Sequence, residues 1–426
     1  MNTFKVCLKV IVTAATLLWV SAWAQTGWEI QFSGTSNALN AVYFLNPDTG
    51  WVVGASGTIL HTTDGGFTWN PIGFPSSADL NDLYFFNPDT GLVVGADGVF
   101  RTTDGGVSWT NIPTGITDPL LSVSFFDNWG IAGAFSQSII YSQDGGQSWS
   151  VAQSGFFGGG FYGAIMLSPS LGFVGGENSI FQPLVGKSSN GGATWTFHAF
   201  YLSNNEGRIY SIDFTDEFIG YAASRLWDGR GAISKTQDGG ANWTTSIFSE
   251  PLYGIDFPIS NASLIGYAVG ANGTIYKTMD AGTFWLPLNS GTTARLNDVY
   301  FLHLDLGYVV GETGTILKTT TGGEPPIDVD EDQKGVSAIQ TPWLYQNAPN
   351  PFNPKTLIQF YLPNRVHVQL EVFNFLGQIV SVLVDQPMAA GTHTVQFDGS
   401  CLSSGIYWYR LQAGSYRQVR KMLLVK

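Results

Sequence analysis

One eight-residue text recurs along the chain and limits its possible folds more than any other feature. Thr62-Thr63-Asp64-Gly65-Gly66-Phe67-Thr68-Trp69 returns at Thr102 to Trp109, Ser142 to Trp149, Ser188 to Trp195, Thr236 to Trp243 and Thr278 to Trp285, with a degraded copy at Thr319 to Gly323. The tryptophans follow one another at roughly 40- to 48-residue intervals, the period of a four-stranded unit that buries its faces only by stacking on neighbours.

A second pattern precedes each copy. Three repeats read Leu39-Asn40-Ala41-Val42-Tyr43-Phe44, Leu80-Asn81-Asp82-Leu83-Tyr84-Phe85 and Leu296-Asn297-Asp298-Val299-Tyr300-Phe301. The others keep the apolar positions: Leu120, Val123 and Phe125; Tyr162, Ile165 and Leu167; Ile209, Ile212 and Phe214; Leu252, Ile255 and Phe257. Alternation of this kind predicts a strand packed between two sheets. The first repeat then contains strands A (39–44), B (50–54), C (57–62) and D (68–72). The last repeat lacks strand D, and the start of the chain supplies it: Trp28-Glu29-Ile30 with Ser33-Gly34-Thr35 matches Trp285-Leu286-Pro287 with Ser290-Gly291-Thr292. The expected fold is all-β: a seven-bladed β-propeller closed by the N-terminal strand, which leaves no open sheet edge.

The two ends carry other texts. Lys5 and Lys9, the apolar run Val10 to Val20 and Ala22-Trp23-Ala24 predict a signal peptide over residues 1–24. No later run approaches the ~20 apolar residues of a membrane helix, so no transmembrane segment is expected in the mature chain. Cys401 is then the lone mature cysteine, and stability cannot come from internal disulfides. The propeller is expected over residues 25–321 and an acidic linker with Pro325-Pro326 over 322–342. Residues 343–426 alternate in short strands, which predicts an immunoglobulin-like β-sandwich. With 32 acidic against 19 basic side chains the chain is a poor nucleic-acid binder.

The (Ser/Thr)-x-Asp-x-Gly-x-(Thr/Ser)-Trp text resembles the Asp-box of sialidases, sortilin-type receptors and photosystem II assembly-factor propellers, and the run from Gly50 to Trp69 is most similar to the last of these. Asp64, Asp104, Asp144, Asn190, Asp238 and Asp280 are expected to be structural turn residues. His61, Arg101, Lys235, Lys277 and Lys318 share one repeat position and are read as a solvated strand face. In the tail, Asn350-Pro351-Phe352-Asn353-Pro354, Ser404-Gly405-Ile406-Tyr407 and Lys421-Met422-Leu423-Leu424 resemble the type A C-terminal sorting domain of the type IX (Por) secretion system. That resemblance implies Sec export, a type IX translocon as the partner of residues 343–426, and a secreted or outer-membrane surface location in a Gram-negative bacterium.

Departures from the repeat concentrate on the face bearing the D–A and B–C loops, where binding residues are expected. Phe156, Phe161, Tyr162, His198, Tyr201 and Arg208 lie in or beside long D–A segments, Arg225, Trp227, Asp228 and Arg230 in a long B–C loop, and Arg295 just before the last strand A. No zinc-ligand spacing, Ser-His-Asp pattern or phosphate loop occurs, so no metal, cofactor or enzymatic activity is expected. The expected function is a non-enzymatic surface protein that binds a protein or glycan on this face. A sialidase-like glycoside hydrolase is the first rival and a structural protein without ligand the second. A carboxylate pair opposite Arg208 favours the hydrolase, and an apolar mouth of Phe156, Phe161, Tyr201 and Trp227 favours binding.

Overall fold

A computed structural model describes residues 27–136, 138–153, 158–201, 207–258, 264–324, 342–344, 347, 352–374, 378–414 and 416–426. The signal reading of residues 1–24, Phe156 and Pro325-Pro326 lie outside the described residues.

Residues 27–324 form seven four-stranded antiparallel sheets, with almost no helix among the described residues. Six take their strands in chain order; the first has Leu39–Phe44, Gly50–Gly54, Thr58–Thr62 and Asn70–Pro71. The seventh joins Leu296–Phe301, Gly307–Gly311 and Ile316–Gly323 to Gly27–Gln31, which pairs Glu29 with Lys318 and Gln31 with Ile316. Its third strand runs to Gly323, two residues into the expected linker.

Each apolar core is shared by two sheets. Val52, Leu60 and Trp69 of the first sheet pack with Tyr308, Val310 and Ile316 of the seventh. Sheet two shares a core with sheet one through Leu83 and Phe85 against Trp51 and Val53. Inside these cores an aromatic pair repeats, with ring centroids 3.7 Å apart: Tyr308 on Phe44, Trp51 on Phe85, Phe173 on Phe214, Tyr221 on Phe257 and Tyr267 on Phe301. The ring of Phe44 also lies against Gly50, where a Cβ would come within 2.5 Å of it. The glycine that opens strand B is therefore a packing requirement.

Polar clamps reinforce the same contacts and give the Leu-Asn-Asp-x-Tyr text its meaning. Asn40 Nδ2 donates to Leu80 O at 2.8 Å, Asn81 to Leu120 O at 2.7 Å and Asn297 to Leu39 O at 2.8 Å. Asp82 accepts from the Val123 N–H at 2.8 Å and Asp298 from the Val42 N–H at 3.0 Å. Further out, Arg101, Lys235, Lys277 and Lys318, expected on a solvated face, instead reach the next sheet's turn, while His61 stacks on Trp51. Lys235 Nζ donates to Ala281 O at 2.6 Å, Lys318 Nζ to Gly65 O at 2.6 Å, and Lys277, 6% exposed, to Gly322 O at 2.9 Å. That expectation is corrected: a long cationic side chain satisfies turn carbonyls that packing has cut off from water.

The repeated turn is held from inside. Asp64 Oδ1 accepts from the Thr62 hydroxyl and the Thr68 N–H, both at 2.8 Å, while Gly65 and Gly66 take positive φ. Asn190 replaces the aspartate in the fourth sheet, accepting from the Thr194 N–H at 3.0 Å and donating to its hydroxyl at 2.9 Å.

Every innermost strand carries a register shift at one place, between Leu39 and Ala41 in the first sheet and between Phe161 and Gly163 in the fourth. Such a bulge lets consecutive side chains face the same way, so Asn81 and Asp82, or Tyr162 and Gly163, together line the central cavity. It also corrects the fourth repeat. Met166 pairs with Gly172 as Phe44 pairs with Gly50, so Phe161, not Tyr162, corresponds to Leu39. Phe161 is fully buried and stacks on Phe197 at 5.6 Å, which removes it from the expected binding residues. A one-residue slip exchanges core and exposed positions along a strand.

The tail forms two antiparallel sheets, one of Trp343–Leu344, Lys355–Leu362 and Gly391–Asp398, the other of Ile379–Met388, Val366–Phe373, Gly405–Ala413 and Tyr416–Leu424. Their inner faces share a core that includes Ile358, Phe360, Leu370, Tyr409, Leu411 and Met422.

Two outcomes test this architecture. Phe161→Ala should lower the free energy of unfolding by about 3–5 kcal/mol in a urea titration; a surface residue at this position would cost little. Burial raises the carboxyl of Asp82 to about 8 and those of Asp213 and Asp298 to about 6, while that of Asp64, held by Thr68, falls to about 2. A raised folded-state pKa gives stability that is complete below the unfolded value near 4 and is lost as pH rises through the folded one. The urea midpoint of the protein should therefore fall between pH 5 and pH 8, and Asp82→Asn, which keeps an acceptor for Val123, should flatten that fall.

Candidate functional site

The seven innermost strands surround a cavity of about 290 Å³, lined by Asn40, Asn81, Leu121, Tyr162, Tyr210, Tyr253 and Asn297 at one repeat position. The ring is unlike on its two sides. The three asparagines belong to sheets one, two and seven and are bound to their neighbours' carbonyls. The three tyrosines belong to sheets four, five and six and form a ladder, with centroids 5.6 Å apart from Tyr162 to Tyr210 and 5.0 Å from Tyr210 to Tyr253.

Arginines gather over that ladder. The Arg208 guanidinium lies 4.5 Å from the Tyr162 centroid and 5.6 Å from that of Trp227, and Arg295 lies 3.7 Å from that of Tyr253. Each such cation–π contact contributes roughly 0.5–2 kcal/mol, more as water is excluded. Arg208 Nη2 also donates at 2.6 Å to Oε1 of Glu177, which is 3% exposed and accepts at 3.4 Å from the Tyr162 hydroxyl. Burial raises the Tyr162 hydroxyl above its ordinary range, so it stays protonated and donates. Arg295 faces Glu312 at 3.9 Å.

Arg225 stands directly across the strand pair from Arg208. It is exposed, and among the described residues it makes no ion pair. Like charges facing one another across a sheet are unfavourable unless an anion joins them. Glu177 neutralises one of the two, and Arg225 remains available to an incoming acceptor. Trp227 packs edge-on against Phe181 at 5.3 Å and keeps about half its surface exposed.

Of the expected residues, Tyr162, Arg208, Arg225, Trp227 and Arg295 come together at this mouth. Asp228 and Arg230 bind each other within their loop at 2.8 Å. His198 lies on Thr196–Ala199, the outermost strand of its sheet, and Tyr201, 76% exposed, follows that strand. Both stand away from the mouth, because strand D is farthest from the cavity that strand A lines, so Tyr201 is not part of the mouth expected of it. Arg208 meets one buried carboxylate, and the mouth is tyrosine-rich, unlike either discriminating pattern expected. Tyr210 and Tyr253 were missed, although a column of the aligned repeats that changes from asparagine to tyrosine marks them.

Comparison with known proteins agrees with these two architectures. Residues 20–113 and 69–155 match the family of the Photosynthesis system II assembly factor YCF48, and residues 348–426 match the Secretion system C-terminal sorting domain. Among solved structures, YCF48 bound to a D1 peptide superposes with a TM-score of 0.55 at 21% identity, covering 70% of this chain and 99% of that one. YCF48 from Cyanidioschyzon merolae gives 0.56 at 22% identity, covering 68% and 98%. PorZ, a surface component of the type-IX secretion system of Porphyromonas gingivalis, gives 0.50 at 14% identity, covering 91% of this chain and 59% of that one. No curated protein matches the chain. At these identities the structural likeness establishes the propeller fold alone, whereas the sequence matches establish the parts: the chain joins repeats of the YCF48 type to a secretion-system C-terminal sorting domain.

Proposed function

We propose that this protein is a seven-bladed propeller closed by its own first strand, exported to the cell surface by its tail, and that its tyrosine–arginine mouth binds an extended polypeptide without chemical conversion. Closure is supported by bonds that cross between the seventh and first sheets as they do elsewhere: Asp298 to Val42, Asn297 to Leu39, and Tyr300 to Phe44 O at 2.9 Å. Export is supported by the sorting-domain match over residues 348–426, and the partner proposed for the tail is a type IX translocon.

The observation that carries the binding reading is Arg225, an arginine without an ion pair among the described residues, beside an aromatic wall that already orders Arg208 and Arg295. Guanidinium groups and aromatic rings together suit the carbonyls and carboxylates of a polypeptide. One structure of similar fold is YCF48 bound to a D1 peptide. The hydrolase reading requires a tyrosine–glutamate pair that ionises, whereas Tyr162 is held protonated and Glu177 is held by Arg208.

Two experiments test these claims. In a host with a type IX system, a chain ending at Thr341 should remain in the periplasm while the full chain reaches the surface; equal exposure of both removes the sorting role. The full-length protein should enrich peptides from a random display library, and Arg225→Ala, at an exposed position, should abolish that enrichment without changing the thermal transition. Enrichment on a glycan array alone, or turnover of aryl glycosides, contradicts the reading.

A further inference from the structure

Beside the mouth, two B–C turns carry aromatic side chains where sheets one, two, six and seven carry small or polar ones. The turns of sheets one, six and seven place Ser56, Asn272 and Thr313 at positive φ, each followed by a glycine that is also left-handed, and the turn of sheet two places Gly98 there. In sheet four the left-handed residue is Phe181, with φ of 62°. That conformation is unfavourable for a bulky side chain, yet Phe181 is 48% exposed and its neighbour Ile180 58%, so core packing does not account for a phenylalanine here. The turn is held by polar groups instead. Asn178 Oδ1 accepts from the Ile180 N–H at 3.1 Å and the Gln182 N–H at 2.9 Å, and Phe181 O accepts at 3.1 Å from the N–H of Gly207, next to Arg208.

Trp227, in the turn of sheet five, meets the Phe181 ring at 77° with centroids 5.3 Å apart, and each ring keeps about half its surface exposed. The two rings form a corner open to solvent. Trp227 also lies 5.6 Å from the Arg208 guanidinium, so the corner is continuous with the mouth. Arg225 and Trp227 are exposed on either side of buried Leu226. A guanidinium that makes no ion pair among the described residues therefore stands one two-residue step, roughly 6.6 Å of extended chain, from an apolar corner.

We propose that the corner of Phe181 and Trp227 is a subsite for an apolar side chain, and that the polypeptide bound at the mouth is acidic and apolar: a carboxylate at Arg225 and an apolar side chain two residues away on the same extended segment. Side chains two apart on an extended chain share one face at that same spacing. Charge selects the occupant, because an arginine without a counter-ion is complementary to a carboxylate, while two half-exposed rings gain by being covered with apolar surface. The inference rests on the mouth reading and adds to it the sequence that the mouth selects.

The test is sequencing of a random peptide display library after selection on the full-length protein and on its Phe181→Gly variant. Glycine takes positive φ without strain, so the variant should keep or raise the thermal transition while removing the ring. On the unaltered protein, peptides with Asp or Glu and an apolar residue two positions away should be enriched about ten-fold or more over peptides with the acidic residue alone. Phe181→Gly should erase that margin and keep the preference for the carboxylate. Enrichment of acidic peptides with no apolar preference at that spacing, or an apolar preference that survives Phe181→Gly, overturns the subsite and leaves the mouth reading standing. A thermal transition lowered in the variant assigns the ring to packing and overturns the subsite as well. Absence of any enriched peptide on the unaltered protein overturns both readings.

Discussion

The stacked aromatic pair between neighbouring sheets is the contact on which the rest of the propeller depends. A four-stranded repeat with two apolar faces cannot bury them alone and depends on stacking against its neighbours. Phe44, Phe85, Phe214, Phe257 and Phe301 each meet an aromatic ring of the preceding sheet at 3.7 Å, and that approach requires glycine at the start of strand B. Trp69 then closes on Phe44 edge-to-face at 5.9 Å, so the repeat's three most conspicuous residues form one packing unit. Around it the asparagine, aspartate and basic residues supply the hydrogen bonds that a tightly packed interior leaves to be made.

This explains which parts of the fold were legible in the sequence. The repeat period, the alternating strands and the fourth strand contributed by Trp28-Glu29-Ile30 follow from positions that packing constrains, and those positions are written alike in each copy. The bulge is not written in residue type, since it is a displacement of register. In the fourth repeat Phe161 and Tyr162 are adjacent aromatics with no Leu-Asn text to distinguish them, and the alternation was therefore read one residue late. The basic residues of strand C gave the opposite error: their charge suggested solvent, while the orphan carbonyls they satisfy are visible only once the sheets are side by side.

The candidate site arises from the same frame by substitution within it. The position that holds asparagine in three sheets holds tyrosine in three others, and the fifth sheet brings Arg208 over the Tyr162 and Tyr210 rings, with Arg225 across the strand pair and Trp227 against the same guanidinium. Three of the seven ring positions are fixed by bonds between sheets, while three others present aromatic rings beside Arg225, which among the described residues makes no ion pair. A rigid scaffold holding a polar–aromatic patch is suited to recognition, because little ordering remains to be done on binding.

The central claim is that the first strand of the chain completes the last sheet, and amide hydrogen exchange on the exported protein tests it most directly. If Gly27–Gln31 pairs with Ile316–Gly323, the amides of the latter strand exchange as slowly as those of Gly231–Thr236, the third strand of the fifth sheet. Rapid exchange at the alternate amides of Ile316–Gly323 that face Gly27–Gln31 would mark an open edge and contradict the account.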